Sequence, residues 1–324
     1  MKHIIVNPAG ASGHAGQIWK QIEPILKAQP RPYEVHFSRP DLSIESLTRD
    51  LSARTEDEDI IVIGGDGSVN EAVNGLSRFN GIRLGFVPCG SGNDLARDLA
   101  VPHDPEETMK RILSGHTVRV IDIGEVTMHD TCNWIDPLTL ERDPAYRTEP
   151  VTRHFVISTG LGFDAEICEG VMYSQTKKVL NRIRAGKLSY LAVAMRLIFR
   201  NESFYLEMRT DDKTMRQSKT MFAVAMNHRY EGGGFMFCPH AVNNDGLLDY
   251  CLVHDMSTAD FFRLFPSSYD GHHLKYTDHV EAGRSRTIEM RADRPLWVHT
   301  DGEIHCKSSH ITVTLNKEQL AMLV

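Results

Sequence analysis

The stretch Ile60-Ile61-Val62-Ile63-Gly64-Gly65-Asp66-Gly67-Ser68-Val69-Asn70-Glu71 constrains the fold of this chain more than any other. Its run of apolar, β-branched residues has the pattern of a strand buried on both faces, as inner strands of a parallel sheet are. Glycines follow directly. Then come Val69, Ala72, Val73 and Leu76 at i, i+3, i+4 and i+7, the spacing of one apolar helix face. Ser68 and Glu71 stand at capping-box spacing and set the expected helix start. A strand, a glycine turn and a helix N-terminus in succession make an anion site. Glycine lets the backbone come close to a ligand and take positive φ. The N–H groups of the first helical turn then point at negative charge. Asp66 does not suit a bare phosphate. It fits if it engages a metal or a proton, or if the turn is merely tight and the carboxylate solvated.

The same unit recurs on either side. Lys2–Val6 read as a short strand and Asn7-Pro8-Ala9-Gly10-Ala11-Ser12-Gly13 as a glycine-rich turn. Residues 16–28 read as a helix with Ile18, Ile22, Ile25 and Leu26 on one face, bent by Pro24. Arg83–Val87 read as a strand, Pro88-Cys89-Gly90-Ser91-Gly92-Asn93-Asp94 as a turn, and Leu95–Leu99 as a helix that Pro102 stops. Between these units, Tyr33–Ser38 alternate as a strand and residues 42–53 suit a helix. Parallel connectivity sets all three loops at one sheet edge, outside the carboxyl ends of the strands. There is no G-x-x-x-x-G-K-[ST] loop and no protein-kinase motif, and Asn70 stands where a Rossmann fingerprint needs its third glycine.

The segment Gly64-Gly65-Asp66-Gly67-Ser68-Val69-Asn70-Glu71-Ala72-Val73-Asn74-Gly75-Leu76 resembles the nucleotide-binding signature of the diacylglycerol kinase catalytic-domain family, which includes bacterial soluble lipid kinases and the sphingosine and ceramide kinases. Ser68 stands where that family usually has Thr. NAD kinases are similar through the GGDG core only. Other segments carry the same resemblance: Asn7-Pro8; Gly90-Ser91-Gly92-Asn93-Asp94; Gly186-Lys187-Leu188-Ser189-Tyr190; Asn227 with Gly232-Gly233-Gly234; Asp245-Gly246-Leu247-Leu248-Asp249; and Asp301-Gly302-Glu303. The resemblance implies a nucleotide on Gly64, Gly65, Asp66, Gly67, Ser68, Val69 and Asn70, with Asn7, Ser38, Ser91 and Asn93 alongside. It implies magnesium engaged through a network that includes Asp66, Asp94 and Asp122, and a structural magnesium at Asp245 with the carbonyls of Val242 and Leu247. It also implies Glu303 as proton acceptor, supported by Asp301, with Asp66 in the catalytic set. Read alone, Asn7 suits an Asx-turn equally, Asp122 a strand edge, Asp245-Gly246 a plain hairpin, and the last motif a charged turn.

At 324 residues the natural expectation is two domains. The first is an α/β nucleotide-binding domain with a parallel sheet over 1–124, to which a tail of about 311–324 returns. The second, over 125–310, is a β-rich, sandwich-like lipid-substrate domain. Residues 117–124 read as the crossing strand. Beyond them short alternating runs replace strand–helix alternation: 155–159, 204–209, 221–226, 248–253, 287–290, 296–299 and 310–315. Asn133–Pro150 read as a long inserted loop.

A net charge of −7 argues against bulk attraction to nucleic acid. The six cysteines are scattered without a C-x-x-C pair, which suits reduced thiols in the cytoplasm. None of the sixteen histidines sits in an H-E-x-x-H pattern. No signal-peptide core and no run near ~18 apolar residues is present. Residues 171–201 carry Lys177, Lys178, Arg182, Arg184, Lys187, Arg196 and Arg200 and no acidic residue. A basic amphipathic helix of this kind sits on anionic lipid, or packs on its own domain with a solvated face.

These readings combine into an ATP- and Mg²⁺-dependent lipid kinase, cytoplasmic and peripherally membrane-associated, that touches anionic phospholipid through 177–200. It would transfer the γ-phosphoryl group to a lipid hydroxyl, converting diacylglycerol to phosphatidic acid. A sphingoid base, ceramide, phosphatidylglycerol or NAD as acceptor is one alternative. A nucleotide-binding lipid sensor without catalysis is the other. A homodimer is compatible with either.

Overall fold

The buried runs of the first hundred residues form the inner strands of a parallel sheet. The computed structural model describes residues 1–30, 32–54, 58–115, 117–136, 139–173, 186–200 and 202–324. Strands β1 (Lys2–Val6), β2 (Tyr33–Phe37), β3 (Glu58–Gly64) and β4 (Ile82–Pro88) lie parallel in the order β2-β1-β3-β4. Helices α1 (His14–Lys27), α2 (Ile44–Ser52), α3 (Asp66–Gly75), α4 (Asp94–Asp98) and α5 (Pro105–Ser114) connect or follow them. Successive strand residues face opposite ways. Ile5, Ile60, Val62, Leu84 and Phe86 therefore pack with Ile44, Leu47, Val69 and Val73 of α2 and α3. Ile4, Val6, Ile61 and Ile63 pack with Ile18, Ile22 and Leu26 of α1 and Met109 and Ile112 of α5. Every residue of β3 is buried, and each such aliphatic side chain contributes about 1.5–3 kcal/mol over its exposed state.

The strands end in step. Ser38 N–H donates to Val6 C=O at 2.9 Å, Asn7 N–H to Ile63 C=O at 3.4 Å, and Cys89 N–H to Gly64 C=O at 3.0 Å. The loops after β1, β2, β3 and β4 thus leave the sheet side by side along its carboxyl edge. α3 begins earlier than the capping-box spacing predicts. Gly65 is its N-cap and Asp66 its first residue, and no side chain caps it. Ser68 instead lies against Gly64, where an added Cβ would come within 2.3 Å of the serine Cβ.

After β5 (Val118–Ile121) the chain enters an antiparallel sheet. It comprises β6 (Gly124–Met128), β9 (Val151–Phe155), β10 (Ser158–Gly162), β11 (Phe204–Arg209), β12 (Thr214–Met226), β13 (Leu248–His254), β14 (Val280–Ser285), β15 (Ile288–Thr300) and β16 (Glu303–Leu315). Its order is β14-β13-β12-β10-β15-β16-β6-β9, with β11 joined to both β12 and β15. The expected inserted loop carries a small hairpin, β7 (Trp134–Ile135) with β8 (Arg142–Asp143). One apolar cluster of this sheet joins Val126, Phe155, Leu206, Leu252, Met290, Val298 and Val313. Another packs Phe222, Val224, Cys251 and Val253 against Phe163 and Ile167 of α6 (Phe163–Tyr173) and Phe261 of the helix Thr258–Leu264. Strand β17 (Leu320–Leu323) then returns to the first sheet, parallel to β4 and antiparallel to β5.

Four sequence expectations change. The crossing strand is broken: Asp122 turns its main chain away, its N–H donating to Asn243 C=O at 2.7 Å, and β6 starts at Gly124. The run 155–159 is split between β9 and β10, because the amides of 156–158 bind a side chain instead of a strand (below). Besides the helix expected within 171–201, found at Gly186–Leu197, the β-rich half holds the helices Phe163–Tyr173 and Thr258–Leu264. Of the tail expected over about 311–324, residues 311–315 belong to β16, and the part paired with the first sheet is Leu320–Leu323. Lys177, Lys178, Arg182 and Arg184 lie outside the described residues, as does the side chain of Lys187.

Candidate active site

A cleft of about 190 Å³ opens where the two sheets meet, lined by Asp66, Ser91, Gly92, Gly233, Asp301 and Glu303 among others. One wall comes from the glycine loops after β3 and β4. Gly65 and Gly90 touch there: a Cβ on Gly65 would stand 3.2 Å from Gly90 Cα. Asp66, at the start of α3, accepts the Asp94 N–H through Oδ2 at 3.1 Å. Its Oδ1 is shielded from solvent and has no hydrogen-bond partner, and the same is true of Asn93 Oδ1. Burial, and then the charges of Asp94 and Asp301, push the Asp66 carboxyl up to about 7. Asp94 is a tie between domains. Its Oδ2 accepts Gly233 N–H at 2.7 Å, and Arg97 pairs with its other oxygen.

The opposite wall is the turn between β15 and β16. Asp301 sits at φ 52° and turns its carboxylate inward. It accepts the main-chain N–H groups of Val156 (3.0 Å), Ile157 (2.7 Å) and Ser158 (3.1 Å), and the Asn70 side-chain amide at 2.9 Å. Burial raises its pKa against the pull of these donors. Asp301 is thus a fixed strut. The next carboxylate, Glu303, lies over the first turn of α3: a Cβ built on Gly67 would be 2.2 Å from Glu303 Oε1. Glycine at position 67 leaves the room that the Glu303 carboxylate occupies. One turn further along α3, burial and the Glu303 charge push Glu71 up to about 7.

The expected nucleotide residues divide. Asn7, Ser38, Gly64 and Ser91 lie on the loops that leave the carboxyl edge together. Val69 is 1 % exposed and belongs to the core, so only its main chain faces the loop. Asn70 faces Asp301 and His154. Asn74, in the same motif, clasps His154 in both directions, its Nδ2 to the carbonyl at 2.9 Å and its Oδ1 from the N–H at 2.9 Å. These asparagines join the domains.

The implied metal residues also divide. The unpartnered oxygens of Asp66 and Asn93 fit a hydrated hard cation, whose ligands are oxygens. The turn at Asp245 does not fit one. Its carboxylate is taken by Arg284 and by the Leu247 N–H, while Arg284 also reaches Asp249 at 3.3 Å. A guanidinium already supplies the positive charge there. Asp122 is likewise engaged, accepting Gly246 N–H at 2.9 Å and the Gln319 amide at 2.7 Å.

A sequence profile of the diacylglycerol kinase catalytic domain matches residues 2–126, and one of the YegS C-terminal NAD kinase beta sandwich-like domain matches residues 162–323. The chain belongs to the diacylglycerol kinase catalytic-domain family. As a member of this lipid kinase family it is 26 % identical, over 250 residues, to a diacylglycerol kinase of Mycobacterium tuberculosis, a match that covers 76 % of this chain and 71 % of that protein. It is 26 % identical over 246 residues to a diacylglycerol kinase of Bacillus subtilis, covering 75 % and 70 %. The crystal structure of a diacylglycerol kinase from Bacillus anthracis str. Sterne superposes with a TM-score of 0.67 at 19 % identity, covering 99 % of this chain and 96 % of that one. That likeness establishes the fold.

Beneath its D-G-E turn this kinase-family chain buries a cluster that sequence reasoning missed. His299 Nε2 lies 2.8 Å from Asp164 and 3.4 Å from Glu231, and Ser158 Oγ donates to Glu231 at 2.7 Å. Burial and the Asp164 charge push Glu231 up to about 8. Burial works to lower His299, but Glu231 and Asp164 outweigh it and hold it at about 9. The Gly302 main-chain nitrogen lies 3.3 Å from His299 Nδ1, so the ring packs directly beneath the turn. The residues that assemble here lie far apart in sequence, and no short motif joins them.

Proposed function

We propose that this chain is an ATP-dependent lipid kinase that phosphorylates diacylglycerol to phosphatidic acid. The observation that carries the proposal is the approach of Glu303 to Gly67, which sets a carboxylate against the helix start that would hold the phosphates. The α3 N-terminus and the glycine loops favour an anion. Magnesium, when bound, would neutralise phosphate charge, and the free oxygens of Asp66 and Asn93 would hold it. Glu303 accepts the proton of the acceptor hydroxyl. The hydroxyl oxygen forms its bond to the γ-phosphorus as the bond to the β–γ bridging oxygen breaks, and ADP leaves with that electron pair. Positioning and charge neutralisation supply most of the rate, since phosphoryl transfer needs little covalent help. Asp301 keeps the turn in place.

Two features support a lipid acceptor. The cleft has an apolar flank of Ile157, Cys168, Val171 and Met172. In the same half of the chain, Met195, Phe199 and Phe262 are exposed, the Phe199 and Phe262 rings 6.1 Å apart, and Arg196 and Arg200, next to them in sequence, are exposed too. Together with the sequence cluster Lys177–Lys187, they suit the surface of an anionic bilayer, where basic residues attract headgroups and aromatic residues enter the interface. No helix among the described residues is long and apolar enough to cross a membrane.

The test is purified chain with γ-labelled ATP and Mg²⁺ against mixed micelles of diacylglycerol, sphingoid base, ceramide or phosphatidylglycerol, and against NAD. Labelled phosphatidic acid, lost in Glu303→Gln with ATP binding retained, is the expected result. Label in another acceptor overturns the substrate, and label in none overturns the kinase reading.

A further inference from the structure

A second constellation lies on the parallel sheet, and none of its residues lines the cleft. β1 and β2 pair so that His3 stands beside Glu34 and Ile5 beside His36. Residues 34 and 36 share one face of β2, and His3 presents its ring to both. His3 is fully buried. Its Nε2 is 3.0 Å from Glu58 Oε2 on the neighbouring β3. A carboxylate at Nε2 makes that nitrogen the donor, which leaves the lone pair on Nδ1. Nδ1 is 3.3 Å from His36 Nε2 and 3.3 Å from Glu34 Oε2, and the latter two atoms are 3.8 Å apart.

These three separations have a simple reading. Zinc bonds of about 2.0–2.1 Å at tetrahedral angles place ligand atoms about 3.3–3.4 Å apart. Two edges of the triangle match that spacing, and the third is about 0.4 Å longer, within the travel of the half-exposed Glu34 side chain. The donors also match. Two imidazoles and one carboxylate suit Zn²⁺, whereas Mg²⁺ and Ca²⁺ take oxygens. The Glu58–His3 contact is the usual outer support of a ligating histidine, fixing both tautomer and ring. Without a cation the arrangement is awkward: Nδ1 and Glu34 Oε2 are both acceptors at 3.3 Å, and one proton on His36 Nε2 serves only one of them.

We infer that His3, Glu34 and His36 form a zinc site, with Glu58 orienting His3 and the fourth position open to water. The ion ties the edge strand β2 to β1. It thereby steadies the strand that leads into Ser38 at the carboxyl edge. The competing occupant is a proton, with His3 as an imidazolium between Glu34 and Glu58.

The experiment is calorimetric titration of tag-free, EDTA-treated full-length chain with ZnCl₂, alongside Co²⁺ as an optical probe. We expect one zinc per chain with micromolar or tighter affinity, and the intense visible bands of tetrahedral Co²⁺. His36→Gln and Glu34→Gln each remove a ligand at a partly exposed position, so both should fold. Each weakens Zn²⁺ binding by more than about 10-fold, and Glu58→Gln weakens it by about 10- to 100-fold. Circular dichroism matching the parent confirms that the variants are folded. Absence of zinc binding by the parent overturns the site in favour of the proton. Undiminished binding by His36→Gln, or an octahedral Co²⁺ spectrum, overturns it as well. None of these readouts depends on kinase activity, so they stand or fall apart from the proposed reaction.

Discussion

Replacing Gly67 by Ala separates catalysis from stability in this chain. An added Cβ would stand 2.2 Å from Glu303 Oε1 and 3.1 Å from its Cδ. Relieving that overlap moves the carboxylate by about 1 Å. The far end of a glutamate side chain moves at little cost to the fold. Position 67 lies within α3 and outside the positive-φ region, so its backbone accepts alanine without strain. Alanine gains up to about 1 kcal/mol of helix propensity over glycine. The reaction is less forgiving: a 1 Å displacement of a reacting group can cost about 10²-fold. That factor corresponds to about 2.7 kcal/mol of transition-state stabilisation. The expected outcome is a kcat about 10²-fold lower, with the KM for ATP little changed and an unfolding midpoint equal to or above that of the parent. The assay is initial-rate kinetics on diacylglycerol micelles, paired with urea unfolding of the same preparations. A kcat within about threefold of the parent would show that Glu303 does not work from the position it holds over α3. A kcat lost in step with stability would show that the residue is merely structural.

Other substitutions probe the same site. Glu71 has a folded pKa of about 7, above its ordinary value of 4.5, so the folded state keeps a proton that the unfolded chain releases between those values. Its contribution to stability is therefore full below pH ~4.5 and lost as pH rises through ~7. Glu71→Gln should match the parent in urea unfolding at the acid end and exceed it at pH ~8; a pH-independent difference refutes this. Asp301→Asn puts an amide where an oxygen now accepts main-chain N–H groups. Unfolding measurements should show a loss of about 1–3 kcal/mol, with turnover falling too. Gly65→Val drives a branched side chain at Gly90 and into the phosphate approach, and calorimetry should find ATP binding abolished. Phe199→Ser should weaken sedimentation with anionic vesicles while sparing activity on detergent-dispersed lipid; unchanged vesicle binding removes that ring from the membrane surface.

The sequence discloses the first domain well, because its signals are local. Ile60–Ile63 can only be a strand buried on both faces, and the glycines after it fix where a ligand comes close. The break at Asp122 is invisible locally: the residue leaves its strand for partners at Asn243, Gly246 and Gln319, all distant in sequence. Helix α6 does carry a helical face, with Phe163 and Ile167 in one cluster, but it stands among strands and was hidden by their alternation. In the site, Asp301 and Glu303 were legible as a pair of carboxylates. Their division into a strut and a group over α3 depends on three amides of 156–158 and on Gly67, which only the packed sheets bring together. His3, Glu34 and His36 were out of reach for the same reason. Strand register makes them neighbours, and no motif records register.

The position of β17 bears on how the chain is assembled. Residues 320–323 fill the slot between β4 and β5, so the sheet that carries the glycine loops is completed by a segment about two hundred residues downstream of β5. During synthesis the first domain emerges with β4 presenting an open, unpaired edge, and that edge must stay protected until the sandwich has been made. Neither half is then a self-sufficient folding unit. The chain is interlocked end to middle, so the two sheets should melt in one cooperative transition. The same slot, left open in a partly unfolded copy, is a template for β17 of a second molecule, and strand exchange there is the characteristic misassembly that this topology invites.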